Sequence, residues 1–326
     1  ARELINKLQM STRGHIDSFH MMVVGKYFER IEDFMNVEMV NKKYSGITEK
    51  YRDNPIPLND KRSRNMFSDI ETQHMYDRED GQWEYGTNQR YVLWFPVNLG
   101  YSEKMRDNIE CKNLVYTKED REEYGNEIPE SVKLLDYECF RGCSSLTSIS
   151  IPSSVSVIGE CCFNRCSSLT SISIPSTVSM IGEYCFCGCS SLSSISIPSS
   201  VSVISKSCFS GCSSLTSVVI PSSVSVIGEY CFDGCSSLTS ISISSSVTVI
   251  GHHCFGRCLS LSSISIPSSV SKIDESCFYG CSSLSSISIP SSVNVIGECC
   301  FKECTSLTSI SIPSSVNKID DNCFYA

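Results

Sequence analysis

Apolar and polar residues follow a pattern that repeats every 23 residues over residues 128–326. The pair Cys-Phe recurs nine times at this interval without an insertion, and a second cysteine follows each of the first eight Phe residues by three positions. A unit of this length has too few apolar side chains to fold alone, so it must bury them against its neighbours. The pattern therefore predicts a solenoid of stacked rungs in the α+β class.

Within a typical rung the spacing predicts two short strands and a turn. The alternation of Ile172 and Ile174 with serines predicts the first strand, and a second extended piece leads to Gly182, where a turn with positive φ is expected. The spacing of Phe186 and Cys189 predicts a short helical or 3₁₀ turn. Stacking such rungs about 4.8 Å apart aligns identical side chains along the array, and these columns supply the core.

The repeat Cys-Ser-Ser-Leu-Thr-Ser-Ile-Ser-Ile-Pro-Ser-Ser-Val-Ser-Val-Ile-Gly-Glu-x-Cys-Phe closely resembles the BspA-like leucine-rich repeat of bacteria and anaerobic protozoa. The resemblance covers Ile128 to Phe324. Cysteine replaces the alanine that commonly precedes Phe in this family, for example at Cys139 and Cys162, and both residue types are small and apolar. The resemblance implies a leucine-rich-repeat solenoid and a surface-associated adhesion or interaction module without a shared active site.

Residues 1–127 differ from the array and are predicted to form a separate N-terminal head. They contain 19 of the 27 basic residues and both tryptophans. A helix pair is predicted over 18–45, with the second helix from Ile31 to Lys43, and the strand-like runs 67–75 and 90–96 are interpreted as irregular rungs that cap the solenoid. The residues expected on the inner faces of the two helices are Phe19, Met22, Val23, Tyr27, Phe34, Val37, Val40 and Tyr44.

The helix pair also shows a partial resemblance to an F-box, although Ile16-Asp17-Ser18 replaces the usual Leu-Pro opening. An F-box joined to leucine-rich repeats would imply docking to a Skp-type adaptor, with the repeats holding a ubiquitylation substrate. The alternative is an amphipathic helix pair that caps the array. The positions that would dock to the adaptor are Phe19, Tyr27, Phe28, Phe34, Val40 and Tyr44.

Charge and hydropathy narrow the function classes. The formal net charge of −9 and the pI near 5.2 argue against a nucleic-acid-binding protein. No apolar run is long enough to predict a membrane span, and the first residues contain no secretory leader. The sequence therefore predicts a cytoplasmic protein, whereas the family resemblance implies association with the cell surface.

The 21 cysteines raise the question of metal or disulfide chemistry. Pairs such as Cys162 and Cys166 could offer two thiolates to zinc, but no further Cys or His cluster accompanies them within a rung. We expect the recurring cysteines to be buried thiols that act as small hydrophobes, with no metal and no cofactor. The extra thiols Cys161, Cys187 and Cys299 occupy variable positions and are the ones expected to react.

Catalytic motifs are missing from the sequence. It contains no His-Glu-x-x-His, no Gly-x-Ser-x-Gly and no Gly-rich phosphate loop. The pair His252-His253 has no carboxylate or serine placed by sequence to form a relay, so it is interpreted as an exposed turn variant. The chain is therefore predicted not to be an enzyme.

A specific partner should contact the part of the array where rungs differ. The first strand presents almost identical serines in every rung, interrupted by Val219, whereas the residues beside the Cys-Phe pair vary. A protein ligand, or a second copy of the chain, is expected to bind at this variable edge. The candidate residues are Glu160, Glu183, Tyr184, Lys206, Glu229, Tyr230, His252, His253 and Glu275.

The last rung ends at Ala326 without a polar capping repeat. An open solenoid edge invites pairing, so end-to-end or tail-to-tail association is one expectation, and the alternative is that this sequence is a truncated chain. Three functions follow from the sequence: an interaction or adhesion scaffold, a ubiquitin-ligase substrate adaptor, and a self-associating filament or lattice protein.

Overall fold

The computed structural model describes residues 18–40, 42–58, 61–78, 89–105 and 107–325. The chain divides into two compact units, Ala1–Leu114 and Val115–Ala326. In the described residues no helix has the length and apolar character that a membrane crossing requires. The sequence predicts that the repeat array starts later, at residue 128, because the stretch before it lacks the Cys-Phe pattern.

The first unit contains the predicted helix pair and a strand in each of the two predicted runs, although the first strand begins only at Thr72 because residues 67–71 form an irregular turn. The second predicted helix ends at Val40 rather than Lys43, and a 3₁₀ turn follows it. The helices are α1 (Ser18–Gly25), α2 (Ile31–Val40), α3 (Lys61–Met66) and α4 (Leu99–Ser102), with 3₁₀ turns at Lys42–Tyr44 and Thr48–Lys50. The strands are β1 (Thr72–Met75), β2 (Arg90–Asn98) and β3 (Ile109–Tyr116), whose last residues belong to the second unit.

An aromatic cluster forms the core of the helical part. The ring of Phe34 is 1% exposed, and the rings of Phe28, Tyr51 and Phe67 approach it edge-on with centroid distances of 4.9, 5.9 and 5.1 Å. The hydroxyl of Tyr51 donates a hydrogen bond to the carbonyl oxygen of Met22 at 2.9 Å. Edge-to-face aromatic contacts of this kind stabilise a core beyond their buried area.

Two residues predicted to face this core are exposed instead. Val23 is 46% exposed and Tyr27 is 64% exposed. Helix α1 turns its Met21 side toward the cluster, and two residues along a helix amount to about 200°, so Val23 faces away. Tyr27 lies beyond Gly25, where α1 ends, and Phe28 is buried in its place.

The second unit begins with a capped helix and then enters the repeats. The hydroxyl of Thr117 accepts a hydrogen bond from the Asp120 backbone N–H, and the carboxylate of Asp120 accepts one from the Thr117 N–H, so a capping box starts α5 (Lys118–Tyr124). Strand β4 (Val132–Leu135) pairs in parallel with the first Val-Ile strand.

Each rung contributes up to two short strands, and equivalent strands of neighbouring rungs pair in parallel. Pairing residues lie one repeat apart, as in Val203 with Val226. The strands in chain order are β5 (Val157–Ile158), β6 (Met180–Ile181), β7 (Val203–Ile204), β8 (Ser217–Val219), β9 (Val226–Ile227), β10 (Ser240–Ser242), β11 (Val249–Ile250), β12 (Ser263–Ser265), β13 (Lys272–Ile273), β14 (Ser286–Ser288), β15 (Val295–Ile296) and β16 (Lys318–Ile319).

A continuous column of phenylalanine rings runs through the array. Nine rings from Phe140 to Phe324 stack with centroid distances of 5.2–5.7 Å and planes within 12° of each other. The ring of Tyr116, which is fully buried, stacks on Phe140 at 6.2 Å and extends the column by one position. This contact explains why the second unit starts before the first recognisable repeat.

From Cys166 onward, the second cysteine of each rung is a hydrogen-bond donor as well as a core residue. The Cys166 thiol lies 3.0 Å from the carbonyl oxygen of Phe140 in the preceding rung, and the same contact recurs up to Cys304 and Phe278 at 3.1 Å. An alanine in place of this cysteine would fill part of the space, but the phenylalanine carbonyl oxygen of the preceding rung would lose one hydrogen bond. All 21 cysteines are free thiols.

Hydroxyl side chains in the turn between the two short strands of a rung also connect neighbouring rungs. The hydroxyl of Ser223 donates to the carbonyl oxygen of Val201 at 2.7 Å, one rung earlier. Because these bonds use backbone carbonyls, the serines contribute to the stack and not only to the surface. The same bond is made by Thr177, Ser200, Ser223, Ser246, Ser269, Ser292 and Ser315.

The turn geometry differs from the prediction at Gly182. Its φ is not positive, and the glycine is needed instead because a Cβ there would lie 2.4 Å from the backbone nitrogen of Glu160 in the preceding rung. The left-handed residues of this rung are Tyr184, with φ of 55°, directly before the Cys-Phe pair, and Gly188, with φ of 73°, two positions after Phe186. This conformation interrupts any helix, so the predicted helical segment is a run of hydrogen-bonded turns.

Candidate interaction surface

The variable edge consists of the two residues before each Cys-Phe pair and the two residues after it. Its backbone forms a ladder between rungs, since the N–H of Tyr184 donates to the carbonyl oxygen of Lys206 and that of Ser207 donates to Glu229. The residue directly before each of the nine Cys-Phe pairs has φ between 51° and 55°. These residues are Glu138, Cys161, Tyr184, Ser207, Tyr230, His253, Ser276, Cys299 and Asn322.

This conformation is unfavourable for residues other than glycine, and it costs about 1–2 kcal/mol per residue. Asparagine occurs at one of the nine positions and glycine at none. Bulky rings occupy three of them, at Tyr184, Tyr230 and His253. The stacked rungs hold these side chains in the strained turn.

The strain predicts that Ser207→Gly stabilises the array by about 0.5–1 kcal/mol, because glycine adopts positive φ freely and the lost side chain is small. The measurement is the free energy of unfolding in urea. The matched control is Ser240→Gly in β10, where the same change should destabilise a strand by about 0.5–1 kcal/mol. A loss of stability in both variants would contradict the assignment of strain to the turn.

Three predicted residues form a chain of polar contacts across consecutive rungs. The Lys206 ammonium lies 2.8 Å from a Glu229 carboxylate oxygen, and the His252 Nδ1 atom lies 3.5 Å from the other oxygen. The hydrogen bond from Lys206 lowers the pKa of Glu229, and Glu229 raises the pKa of Lys206 in turn. Both side chains are well exposed, so this pair contributes mainly to recognition and little to stability.

The histidine pair is packed rather than exposed, which corrects the interpretation of an exposed turn variant. The ring of Tyr230 contacts His252 edge-on at 4.6 Å and stacks on His253 at 5.0 Å. Nδ1 of His253 lies 3.5 Å from Oδ1 of Asp233, and neither buried atom has a hydrogen-bond partner. Burial raises the pKa of Asp233. A side chain at Gly256 would collide with both groups, so this glycine creates the space for them.

The edge continues with residues that the sequence reasoning missed. The guanidinium of Arg257 lies 5.6 Å from the centre of the Tyr279 ring, and the Tyr279 hydroxyl donates to a Glu303 carboxylate oxygen at 2.9 Å. This bond raises the pKa of Tyr279. These residues, like Asp233, follow the phenylalanine of their rung. Alignment of the rungs would have identified these positions, since they vary as much as those before the cysteine.

The other predicted edge residues lie on the same surface. Glu183 is exposed near Lys206 and adds to the increase in the pKa of that ammonium, and Tyr184 is half-buried. Glu160 and Glu275 are exposed. The structure therefore groups Lys206, Glu229, Tyr230, His252 and His253 into one contact set and places the remaining four along the same edge.

The predicted adaptor-docking residues have different environments. Phe28 and Phe34 lie inside the aromatic cluster, and Tyr44 is half-buried against it. Tyr27 is exposed, and the side chains of Phe19 and Val40 lie outside the described residues. A partner could therefore contact Phe28 or Phe34 only if the core of the first unit opened.

The three thiols expected to react are all partially exposed, but they are not the only such thiols. Cys161, Cys187 and Cys299 are half-buried, as are Cys111 and Cys143. Burial nevertheless raises the pKa of Cys161 and of Cys187, which slows their reaction. Within the described residues, no group of three or more His, Cys, Asp or Glu side chains is arranged to hold a metal ion.

Comparison with known families places these features in context. Residues 125–238 and 204–326 match the model of the BspA type leucine-rich repeat region, with six copies. The chain belongs to this family. Its fold is accordingly a leucine-rich-repeat solenoid with a small helical N-terminal region, as the repeat pattern predicted. The partial F-box resemblance has no support from the comparisons.

Among solved structures, the chain is similar to several leucine-rich repeat proteins. A leucine-rich repeat protein of T. pallidum is 29% identical, with 56% of this chain and 86% of that chain covered and a TM-score of 0.49. One from Bacteroides ovatus is 24% identical, with 77% and 75% covered and a TM-score of 0.43. A leucine rich cell surface protein of Faecalibacterium prausnitzii is 23% identical, with 77% and 83% covered and a TM-score of 0.35. No curated protein sequence matches the chain at a significant level.

Membership of this family has a general functional meaning. Leucine-rich repeat proteins are generally protein-interaction or surface proteins, and they are generally not enzymes.

Proposed function

We propose that this BspA-like chain is a non-enzymatic interaction scaffold at the cell surface, and that it binds a protein partner through the variable edge. The observation that carries the proposal is the presence of large aromatic side chains at strained positions. Tyr184, Tyr230 and His253 have positive φ although glycine or asparagine would relieve the strain. Retained strain of this kind is concentrated at functional sites.

The composition of the edge supports the same proposal. Tyrosine and arginine are enriched where binding energy is concentrated in protein interfaces, and the edge contains Tyr184, Tyr230, Tyr279 and Arg257. The first-strand surface of the array offers mainly serine hydroxyls, which are depleted in interface cores. The edge therefore has the side chains for specific contacts that the serine surface lacks.

The test begins with site-specific photo-crosslinking. A benzoylphenylalanine at position 184 on the edge should crosslink to a partner, and the same group at position 240 on the serine surface should not. The affinity of the captured partner is then measured with the double variant Tyr230→Ala and His252→Ala. We expect it to fall by more than about fivefold.

The matched control is the double variant Ser240→Ala and Ser263→Ala on the serine surface, for which we expect unchanged affinity. Circular dichroism of both variants establishes that the repeats remain folded. Equal affinity for the edge variant and the wild type would refute the proposal, and so would a loss confined to the serine variant. The adaptor function and end-to-end association remain predictions, and no contact described above favours either.

A further inference from the structure

Three aromatic side chains lie together on the parallel strands of the first unit, outside the helical core. His74 lies on β1 and Tyr76 just beyond its end, and Trp94 on β2 directly follows Leu93, which is the partner of Met75. The ring centroids are 6.0 Å apart for His74 and Trp94, 6.3 Å for His74 and Tyr76, and 6.5 Å for Tyr76 and Trp94. Their planes agree within 21°. We refer to these three residues as the aromatic platform.

A hydrogen bond fixes the orientation of the platform. The indole Nε1–H of Trp94 donates to Nδ1 of His74 at 2.8 Å. Both atoms lie in their ring planes, so these two rings meet edge to edge as one flat surface rather than stacking face to face. Because Nδ1 accepts, the imidazole proton is on Nε2, which lies 3.9 Å from the carboxylate of Asp53. Burial lowers the pKa of His74, which maintains the neutral form that can accept this bond.

The backbone beneath the platform is also held in place. The side chain of Asn54 accepts a hydrogen bond from the His74 backbone N–H at 2.5 Å and donates one to the His74 carbonyl oxygen at 2.7 Å. The side chain of Asn113 donates to the carbonyl oxygen of Trp94. The platform is therefore a preorganised surface.

The exposed part of the platform consists mainly of aromatic ring surface. Tyr76 is 44% exposed and Trp94 is 40% exposed. Since the only polar atom of the indole is already bonded to His74, the exposed surface of Trp94 consists of carbon. An aromatic face carries partial negative charge and attracts the weakly positive C–H groups of a ligand.

The charges around the platform exclude several ligand classes. Among the described residues, three cations lie nearby: Arg90 and Lys112 both contact the carboxylate of Glu110, and the guanidinium of Arg78 donates to the carbonyl oxygen of Pro96 at 3.5 Å. A phosphate would have to displace one of these bonds. Proline-rich peptides dock into aromatic-lined grooves, whereas His74 and Trp94 form one flat surface. A methylated ammonium group requires rings that enclose it, whereas these rings are nearly parallel.

A neutral sugar satisfies all of these conditions. We propose that the aromatic platform binds a neutral glycan of β-linked glucose, with the C–H face of a pyranose ring on Trp94 and Tyr76. The carboxylate of Asp53, which is 56% exposed, accepts a hydrogen bond from a sugar hydroxyl at the rim. β-1,4-Linked glucose has every hydroxyl in the ring plane, so its two faces present only C–H groups. This site is independent of the variable edge.

The test uses the full chain and cellohexaose as the probe. Saturation-transfer NMR should show transfer to the face protons of the sugar, and the indole N–H signal of Trp94, assigned with Trp94→Phe, should shift on titration. Trp94→Ala and Tyr76→Ala should each weaken binding by roughly tenfold, the size of effect measured when an aromatic stacking partner is removed. The matched control is Tyr101→Ala, a tyrosine of α4 with 58% exposure, which should bind as the wild type does.

Three outcomes would overturn the proposal. The first is no saturation transfer to millimolar cellohexaose from the folded wild-type chain. The second is unchanged binding by Trp94→Ala. The third is binding of hexaproline or oligothymidylate in place of cellohexaose, which would assign the platform to a peptide or to a nucleic acid. None of these results bears on the variable edge, so the two proposals can fail separately.

Discussion

Raising the pH of a reduced sample from 8 to 10 is expected to unfold the repeat array completely. Sixteen of the 21 cysteines are buried, and burial raises the pKa of every one of them, to about 12 for Cys166 and Cys235. An unfolded thiol has a pKa of about 8.5. Between these values the unfolded chain releases protons that the folded chain retains.

Because of this pKa difference, the folded array becomes less stable as the pH rises. Below about pH 8.5 both states are protonated and the thiols do not influence stability. Above it, each buried thiol that stays protonated favours the unfolded state by about 1.4 kcal/mol per pH unit. Sixteen such groups together exceed the 5–15 kcal/mol by which folded domains are typically stable. Unfolding should therefore occur within about one pH unit above the thiol pKa.

Circular dichroism during an alkaline titration measures this transition. The control variant carries Cys208→Ala, Cys231→Ala and Cys254→Ala, which replace three thiols of the first column by a small apolar side chain that cannot titrate. Its midpoint should lie at a higher pH than that of the wild type. Identical midpoints for the two proteins would show that the thiols are not the cause.

The substitution Phe232→Ala is expected to lower the free energy of unfolding by about 3–5 kcal/mol. The ring is fully buried and stacks on Phe209 at 5.5 Å and on Phe255 at 5.7 Å, so its removal leaves a cavity in the middle of the column. Each rung contacts only its neighbours, so this cavity should also uncouple the two halves of the array. Urea unfolding should then show a second transition or a smaller slope.

The matched control for this variant is Phe324→Ala at the end of the same column. That ring is 44% exposed and stacks only on Phe301, so we expect a loss of about 1 kcal/mol and an unchanged slope. Similar losses for the two variants would contradict the argument that neighbouring rungs carry the stability.

The period of the chain was sufficient to predict the solenoid and its core. A residue that recurs every 23 positions occupies the same place in every rung, so Phe186 and Leu192 had to be buried in columns. The variable edge was predicted for the same reason, since differences between rungs are visible in the sequence. Whether a partner binds there is still a prediction.

Local geometry was not predictable in the same way. The left-handed turn at Tyr184 contradicts the preference of tyrosine, because stacking of the rungs imposes it. Gly182 was assigned to a turn, whereas the close approach of the preceding rung explains it. The pairing of His253 with Asp233 depends on the space left by Gly256, and the aromatic platform joins residues 20 positions apart in a region without repeats.

The near identity of the rungs has a consequence for the folding pathway. A rung that skipped its successor and stacked on the one after it would still align Phe with Phe and Cys with Cys, so the columns alone distinguish poorly between correct and incorrect stacking. The looped-out segment would have only a modest entropic effect, since closing a longer loop changes the free energy slowly.

Contacts that exist only between consecutive rungs remove this ambiguity. Lys206 finds a carboxylate at Glu229 but would meet His252 if a rung were skipped. Tyr230 stacks on His253 but would meet Ser276. The side chains of the variable edge thus give each rung a distinct neighbour during folding, and an array made of one consensus rung would lose this protection against misassembly.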